Sequence, residues 1–281
     1  LGYRTPNGIA DNAAYLPSNR IYQYYTTLHN TTPLYTTLDN AQLAQERSMN
    51  TGLSTVFYIP MGNKELQLSG EYYYTKFLDG VIADMDRDLH GVTLYNMHDV
   101  ADAQYFSHNW QVEANMEILR GWTMTAAFRY TDVKQTSFNT ATNEYQLRDK
   151  PLQNKFKGII STSYQTPLKT WQFDLTAQFN GEGRMPDGFV IPEGSKQYRM
   201  HNGYIYHKWY PQLLGQVTKF FRTWSIYLGA ENMTNFTQDN PIVGSKIGDT
   251  QFVNTQSANY DASMIWAPIH GWKLYLGFRW A

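Results

Sequence analysis

Apolar and polar residues alternate along most of this chain. Leu66, Leu68, Gly70, Tyr72 and Tyr74 are apolar or small, and Glu65, Gln67, Ser69, Glu71 and Tyr73 stand between them. Successive side chains of a strand point to opposite faces, so the pattern predicts a β-strand with one apolar face and one wet face. The same two tracks return from Trp122 to Tyr130, Trp171 to Phe179, Trp224 to Ala230 and Trp272 to Trp280. Each has an alternating partner upstream, at Met49–Ile59, Trp110–Ile118, Phe156–Tyr164, Leu213–Val217 and Tyr260–Trp266. Joins within pairs are short turns, such as Pro60-Met61-Gly62-Asn63. Joins between pairs, at 79–105, 136–151, 181–208 and 236–258, are long and polar. The expectation is ten antiparallel strands in five hairpins, with short turns at one end and long loops at the other. Residues 1–44 read as loop and irregular chain, apart from a helical turn at Asp39–Gln45 capped by Asp39. Residues 45–281 read as the strand region of the same single domain.

A soluble antiparallel sandwich also alternates. Aromatic placement separates it from a membrane barrel. Trp122, Trp171, Trp224 and Trp272 each occupy the first apolar position after a short turn. The middle of each apolar track is aliphatic or small, and its far end turns aromatic again, at Tyr72/Tyr74, Phe128/Tyr130, Phe179 and Phe278/Trp280. Aromatic, aliphatic, aromatic along one face is a lipid band between two interfacial girdles. A basic residue precedes each of those tryptophans by two positions: Arg120, Lys169, Arg222 and His270. The tracks approach the ~9–11 residues that a tilted strand needs to cross a bilayer. The fold class expected is therefore all-β, an antiparallel transmembrane β-barrel, with outer-membrane lipid as a partner.

Composition agrees. With 23 Lys+Arg against 24 Asp+Glu the formal charge is −1, so there is no basic footprint for nucleic acid. Absence of cysteine excludes disulfides and Cys-ligated metal. No segment approaches the ~20 apolar residues of a membrane helix. The polar track carries both signs, including Glu65, Glu71, Arg129, Asp174, Glu231, Lys273 and Arg279, so the lumen holds water or a polar plug. Open sheet edges are costly in lipid. Together with the start at Leu1, this leads to the expectation of a missing N-terminal barrel half.

Several segments carry a resemblance. They include Tyr3-Arg4-Thr5-Pro6-Asn7, Arg129-Tyr130-Thr131-Asp132-Val133-Lys134, Lys150-Pro151-Leu152, Trp171-Gln172-Phe173-Asp174, Glu231-Asn232-Met233-Thr234-Asn235-Phe236 and Tyr260-Asp261-Ala262-Ser263-Met264-Ile265-Trp266. As a set they resemble the TonB-dependent outer-membrane receptors of Bacteroidetes. The resemblance implies the C-terminal section of a barrel of about 22 strands with a plugged lumen. It further implies import of a bulky scarce ligand, an iron chelate or cobalamin, with energy from a TonB-type partner acting through a plug. This chain contains neither plug nor TonB box. The last strand resembles the signal read by the barrel-assembly machinery, with Trp280 followed by Ala281. The location implied is the outer membrane of a Gram-negative bacterium. Two other classes fit the residues: a non-transporting adhesin or small complete barrel, and a soluble carbohydrate-binding sandwich.

Candidate chemistry is sparse. Asp84-Met85-Asp86-Arg87-Asp88 opens like a calcium loop, but Leu89 and Tyr95 stand where Gly and Glu belong, so a solvated loop is expected. His90, His98 and His108, with Met97 and Asp99, match no zinc spacing. No G-x-S-x-G elbow is present, and neither an enzyme nor a cofactor is expected. The loop 181–208 is the candidate ligand surface. There Arg184, Tyr198, Arg199, Tyr204 and Tyr206 offer charge and stacking for a bulky anionic chelate. Trp122, Trp171, Trp224, Trp272 and Trp280 are the expected membrane girdle.

Overall fold

The computed structural model describes residues 2–5, 21–26, 34–36, 43–88, 91–242 and 261–280. Its strands begin with β1 (Gly2–Arg4), β2 (Ile21–Thr26), β3 (Leu34–Thr36), β4 (Glu46–Met61), β5 (Lys64–Asp79) and β6 (Val81–Asp84). Next come β7 (Gly91–Asn96), β8 (Tyr105–Leu119), β9 (Trp122–Asn139), β10 (Glu144–Asp149), β11 (Phe156–Gln165) and β12 (Trp171–Asn180). The last are β13 (Gly183–Arg184), β14 (Tyr198–His201), β15 (Tyr204–His207), β16 (Tyr210–Phe220), β17 (Trp224–Glu231) and β18 (Lys273–Trp280). The first 44 residues, expected as loop, thus contribute three short strands. The helical turn expected at Asp39–Gln45 lies largely outside the described residues; Leu43–Gln45 have no regular structure.

One antiparallel sheet forms a wall, in the order β1-β4-β5-β8-β9-β11-β12-β16-β17-β18, with β10 paired to the upper end of β9. Cross-strand registers confirm the two tracks. Trp122 faces Tyr164, Tyr164 faces Phe173, Phe173 faces Val217, Val217 faces Leu228 and Leu228 faces Leu276, making one continuous apolar row. The opposite face carries Gln111, Arg129, Lys157, Asn180 and Tyr210 in register. On that polar face Tyr227 lies over Gly277, and Tyr275 lies over Gly229. A Cβ on either glycine would enter the ring, so these two positions require glycine for close approach.

Four of the five expected hairpins are present: β4–β5, β8–β9, β11–β12 and β16–β17. The fifth is corrected. The segment expected as its first arm is not a strand beyond a bridge at Asp261, and β18 pairs directly with β17. The reason is a competing partner for its backbone. Gln238 accepts from the N–H groups of Trp266 and Ala267 and donates to the Met264 carbonyl. Those backbone groups are satisfied by one side chain, and Met264 and Trp266 are buried beneath the long loops.

This shifts the tryptophan girdle. Trp280 pairs with Trp224 at the short-turn end, whereas Lys273 pairs with Glu231 at the loop end. Trp272 and His270 therefore sit at the loop end, and Trp280 joins Trp122, Trp171 and Trp224 at the other. At the loop end the apolar track closes on a second aromatic cluster, where His108 stacks with Trp110 and lies beside Tyr74.

The wall is open. The outer edge of β4 over Met49–Met61 and the outer edge of β18 have no ladder partner among the described residues. The compact core lies elsewhere. The long connections fold into a cap containing a four-stranded sheet, β3-β2-β7-β6, and a three-stranded sheet, β13-β15-β14. Tyr24, Met85, Leu94, Met185, Tyr198 and Trp266 are buried together there. The long loops are thus a packed layer on the wall.

Candidate functional site

The cap is organised around buried charge. Asp84 and Asp86, in the stretch expected to be a solvated loop, are both buried. Asp84 accepts from the N–H of Asp86 at 2.8 Å and of Phe138 at 2.7 Å, which ties the β6 end to the upper part of β9. Asp86 receives Arg184 in two-pronged fashion, at 3.0 and 2.6 Å. Arg148 lies 3.2 Å from the same carboxylate and also binds Asp187 at 2.6 Å. Ser137 and the Asp187 N–H complete the acceptor positions of Asp86. Three segments distant in sequence, 84–86, 137–148 and 184–187, meet at this point.

The expected ligand residues divide accordingly. Arg184, expected as a ligand contact, is only 1% exposed and also donates to the Asp149 carbonyl, so it clamps the cap from within. Tyr198 is buried, and its hydroxyl accepts from the Trp266 indole N–H at 3.1 Å. Tyr206 is nearly buried and donates to Asp149 at 3.0 Å. Burial, followed by the charge of Asp149, raises its phenol to about 12. Arg199 and Tyr204 retain access to solvent. Arg199 pairs with Glu182 through two bonds of 2.9 and 2.7 Å and lies over the Tyr206 ring. Tyr204 forms one wall of a hollow of about 380 Å³, shared with Asn139, Asn202 and Phe189. The guanidinium groups of Arg148 and Arg184 lie 5.6 and 5.7 Å from its ring. The hollow thus presents an aromatic face and two amides, with the Asp187 carboxylate in its lining and both arginines behind it paired to carboxylates.

His98 rests on Asp79, and His108 belongs to the aromatic cluster on the apolar face; His90 lies outside the described residues. The structure does not bring His98 and His108 together. Sequence reasoning missed Arg148 and Gln238, which lack any motif and act through contacts distant in the chain.

Two buried groups make the cap respond to pH in opposite directions. Burial and then the Asp86 charge raise Asp84 from 3.8 to about 7. Between those values the folded cap holds a proton that the unfolded chain releases, so Asp84's contribution is lost as pH rises. Burial against Trp266, whose ring stacks on it at 4.2 Å, lowers His207 from 6.5 to about 4. In that window the unfolded chain takes a proton that the folded cap excludes, so stability is lost as pH falls. In the native protein the two effects oppose each other. Asp84→Asn leaves His207 acting alone. Its cap amides, corrected for intrinsic exchange, should lose roughly ten- to a hundredfold protection from about pH 7 to 4.5. A flat profile in this variant would contradict the assignment.

The wall and cap define the class: an all-β, antiparallel barrel section with one apolar face, one polar face and a folded layer over one end. Solved structures agree on the fold. The chain is similar to the copper transporter OprC, at TM-score 0.54 and 12% identity, covering 99% of this chain and 36% of that one. It is similar to the ferric-catecholate import receptor Fiu of E. coli K12, at TM-score 0.51 and 11% identity, covering 84% and 28%. It is also similar to a ferric enterobactin receptor of Pseudomonas aeruginosa, at TM-score 0.51 and 11% identity, covering 84% and 31%. The chain spans about a third of the length of these proteins. No protein-family model matches it, and no curated protein matches it.

Proposed function

We propose that this chain is the C-terminal wall section of an outer-membrane active-transport receptor. The observation that carries the reading is the wall itself. Its strands present an unbroken apolar row on one face and a polar row on the other, and both of its edges are open. Closure by further strands, pairing with Met49–Met61 and with the outer edge of β18, gives every backbone group a partner within lipid. The short turns then face the periplasm, and the cap faces outward.

The ligand in this reading is a bulky scarce chelate, with a ferric complex first and cobalamin second. Support comes from the hollow at Tyr204, beside the strand that carries the partly exposed Arg199, and from the similar solved structures, a ferric-catecholate import receptor, a ferric enterobactin receptor and a copper transporter. Energy for release comes from a TonB-type partner acting through a plug in the complete receptor. Arg199→Ala combined with Tyr204→Ala should lower the affinity for a ferric chelate about tenfold, the loss of ~1.4 kcal/mol of contact. Growth on that chelate as sole iron source should slow in step, with growth on ferrous iron unchanged. A gene deletion that leaves growth on chelated iron intact and abolishes growth on cobalamin transfers the ligand to the second class. A deletion that leaves both intact refutes import of either.

A further inference from the structure

A second hollow lies on the apolar face of the wall, away from the cap. Its volume is about 810 Å³, within the ~300–1,000 Å³ typical of small-molecule sites. Its floor is made of the small residues Thr162, Gly215 and Ala230, which stand in one cross-strand row with Leu175 between Thr162 and Gly215. Trp122 and Phe173 form its rim toward the short turns, and Leu274, in register with Ala230, closes the row at its β18 end. The Trp122 indole folds over the floor and donates to Thr162 at 2.6 Å, so its N–H does not need water.

Charge at one end identifies the occupant. Val217 lines the hollow, and Lys219 is the next residue of the same outward track, in register with Trp171. Its ammonium lies 4.6 Å above the Trp171 ring and 5.8 Å from Phe221. Lys219 has no carboxylate partner among the described residues. Arg222 and Lys169 stand exposed in the neighbouring turns, and the four short turns contain no acidic residue. An apolar trough that ends in unpaired cations fits an amphiphile with an anionic head.

We infer that the trough between Trp122 and Leu274 holds one acyl chain of an anionic phospholipid from the periplasmic leaflet, with its phosphate on Lys219 and Arg222. The inference rests on the membrane reading above and deepens it, naming the lipid that the wall selects. A cation at this depth contributes about a fivefold preference for a negatively charged headgroup. Small floor residues let the chain lie against backbone where a bulkier row would exclude it.

Native mass spectrometry of the detergent-extracted protein, titrated with phosphatidylglycerol, phosphatidylethanolamine or lipid A, provides the test. The expected result is one phosphatidylglycerol retained about fivefold over phosphatidylethanolamine. Lys219→Ala should erase that preference, lowering phosphatidylglycerol retention more than phosphatidylethanolamine retention. Ala230→Phe, which fills the trough and leaves Lys219 in place, should remove the retained lipid altogether. Equal retention of the two phospholipids, preference for lipid A, or a dimer mass with no lipid would each overturn the inference while the membrane reading stands. A protein recovered from buffer without detergent would overturn both. Recovery of each variant in the membrane fraction confirms that loss of lipid is not loss of folding.

Discussion

Arg184→Leu should cost the cap about 3 kcal/mol, toward the lower end of what breaking a buried ion pair costs. The substitution leaves Asp86 buried with one of its two cations. Arg148, 3.2 Å away, remains but is shared with Asp187. Burial alone would raise the Asp86 carboxyl; Arg184 first and Arg148 after it hold it below its ordinary range. With Arg184 gone, Asp86 either stays charged at a cost or takes up a proton. The Asp149 carbonyl also loses its donor. The loss should be confined to the cap. Hydrogen exchange at 84–96 and 183–207 should accelerate by roughly two orders of magnitude, while β11 and β12 keep their protection. Adding Asp86→Asn to Arg184→Met removes charge from both sides and should recover most of the loss. Uniform acceleration through the wall strands would show that cap and wall unfold together.

The wall was legible because membrane strands write their two faces into every second residue. β5, β9, β12 and β17 fall where the alternation places them, and their short turns follow from Gly, Pro and Asn. The cap was not legible, because its order comes from partners far apart in the chain. Alternation at Asp261–Trp266 looks like one more strand, yet the Gln238 amide takes its backbone bonds and the cap core takes its side chains. Removing that strand reverses the direction of β18, which is why Trp272 and Trp280 exchange ends. At the candidate site Arg184 read as a free cation for a ligand. Its partner Asp86 stands 98 residues earlier, in a stretch that looks solvated by composition. Tyr204 and Arg199 stay partly exposed.

Ile159 and Ile160 are adjacent, identical in chemistry and near the middle of β11, and arginine at each should have opposite consequences. Ile160 lies in the apolar track, in register with Ala126 and Ala177. Ile159 lies in the polar track, in register with Ala127 and Gln178. On the lipid face near the bilayer midplane, arginine costs about 2–4 kcal/mol, because the guanidinium must leave water or deform the bilayer around it. On the lumen face the same group meets Gln178 and an aqueous or polar filling, and the change should lie within about 1 kcal/mol. Ile160→Arg should therefore lower the guanidinium midpoint of the bilayer-embedded protein and reduce the assembled fraction in outer-membrane preparations. Ile159→Arg should do neither. The two side chains differ in position by one residue, so helix or turn propensity, expression and net charge are matched, and the comparison isolates which face meets hydrocarbon. If Ile159→Arg were the damaging change and Ile160→Arg the silent one, the faces assigned to lipid and lumen would be exchanged. Equal damage from both would indicate that each face packs against protein, which the assignment of one face to lipid and one to the lumen does not allow.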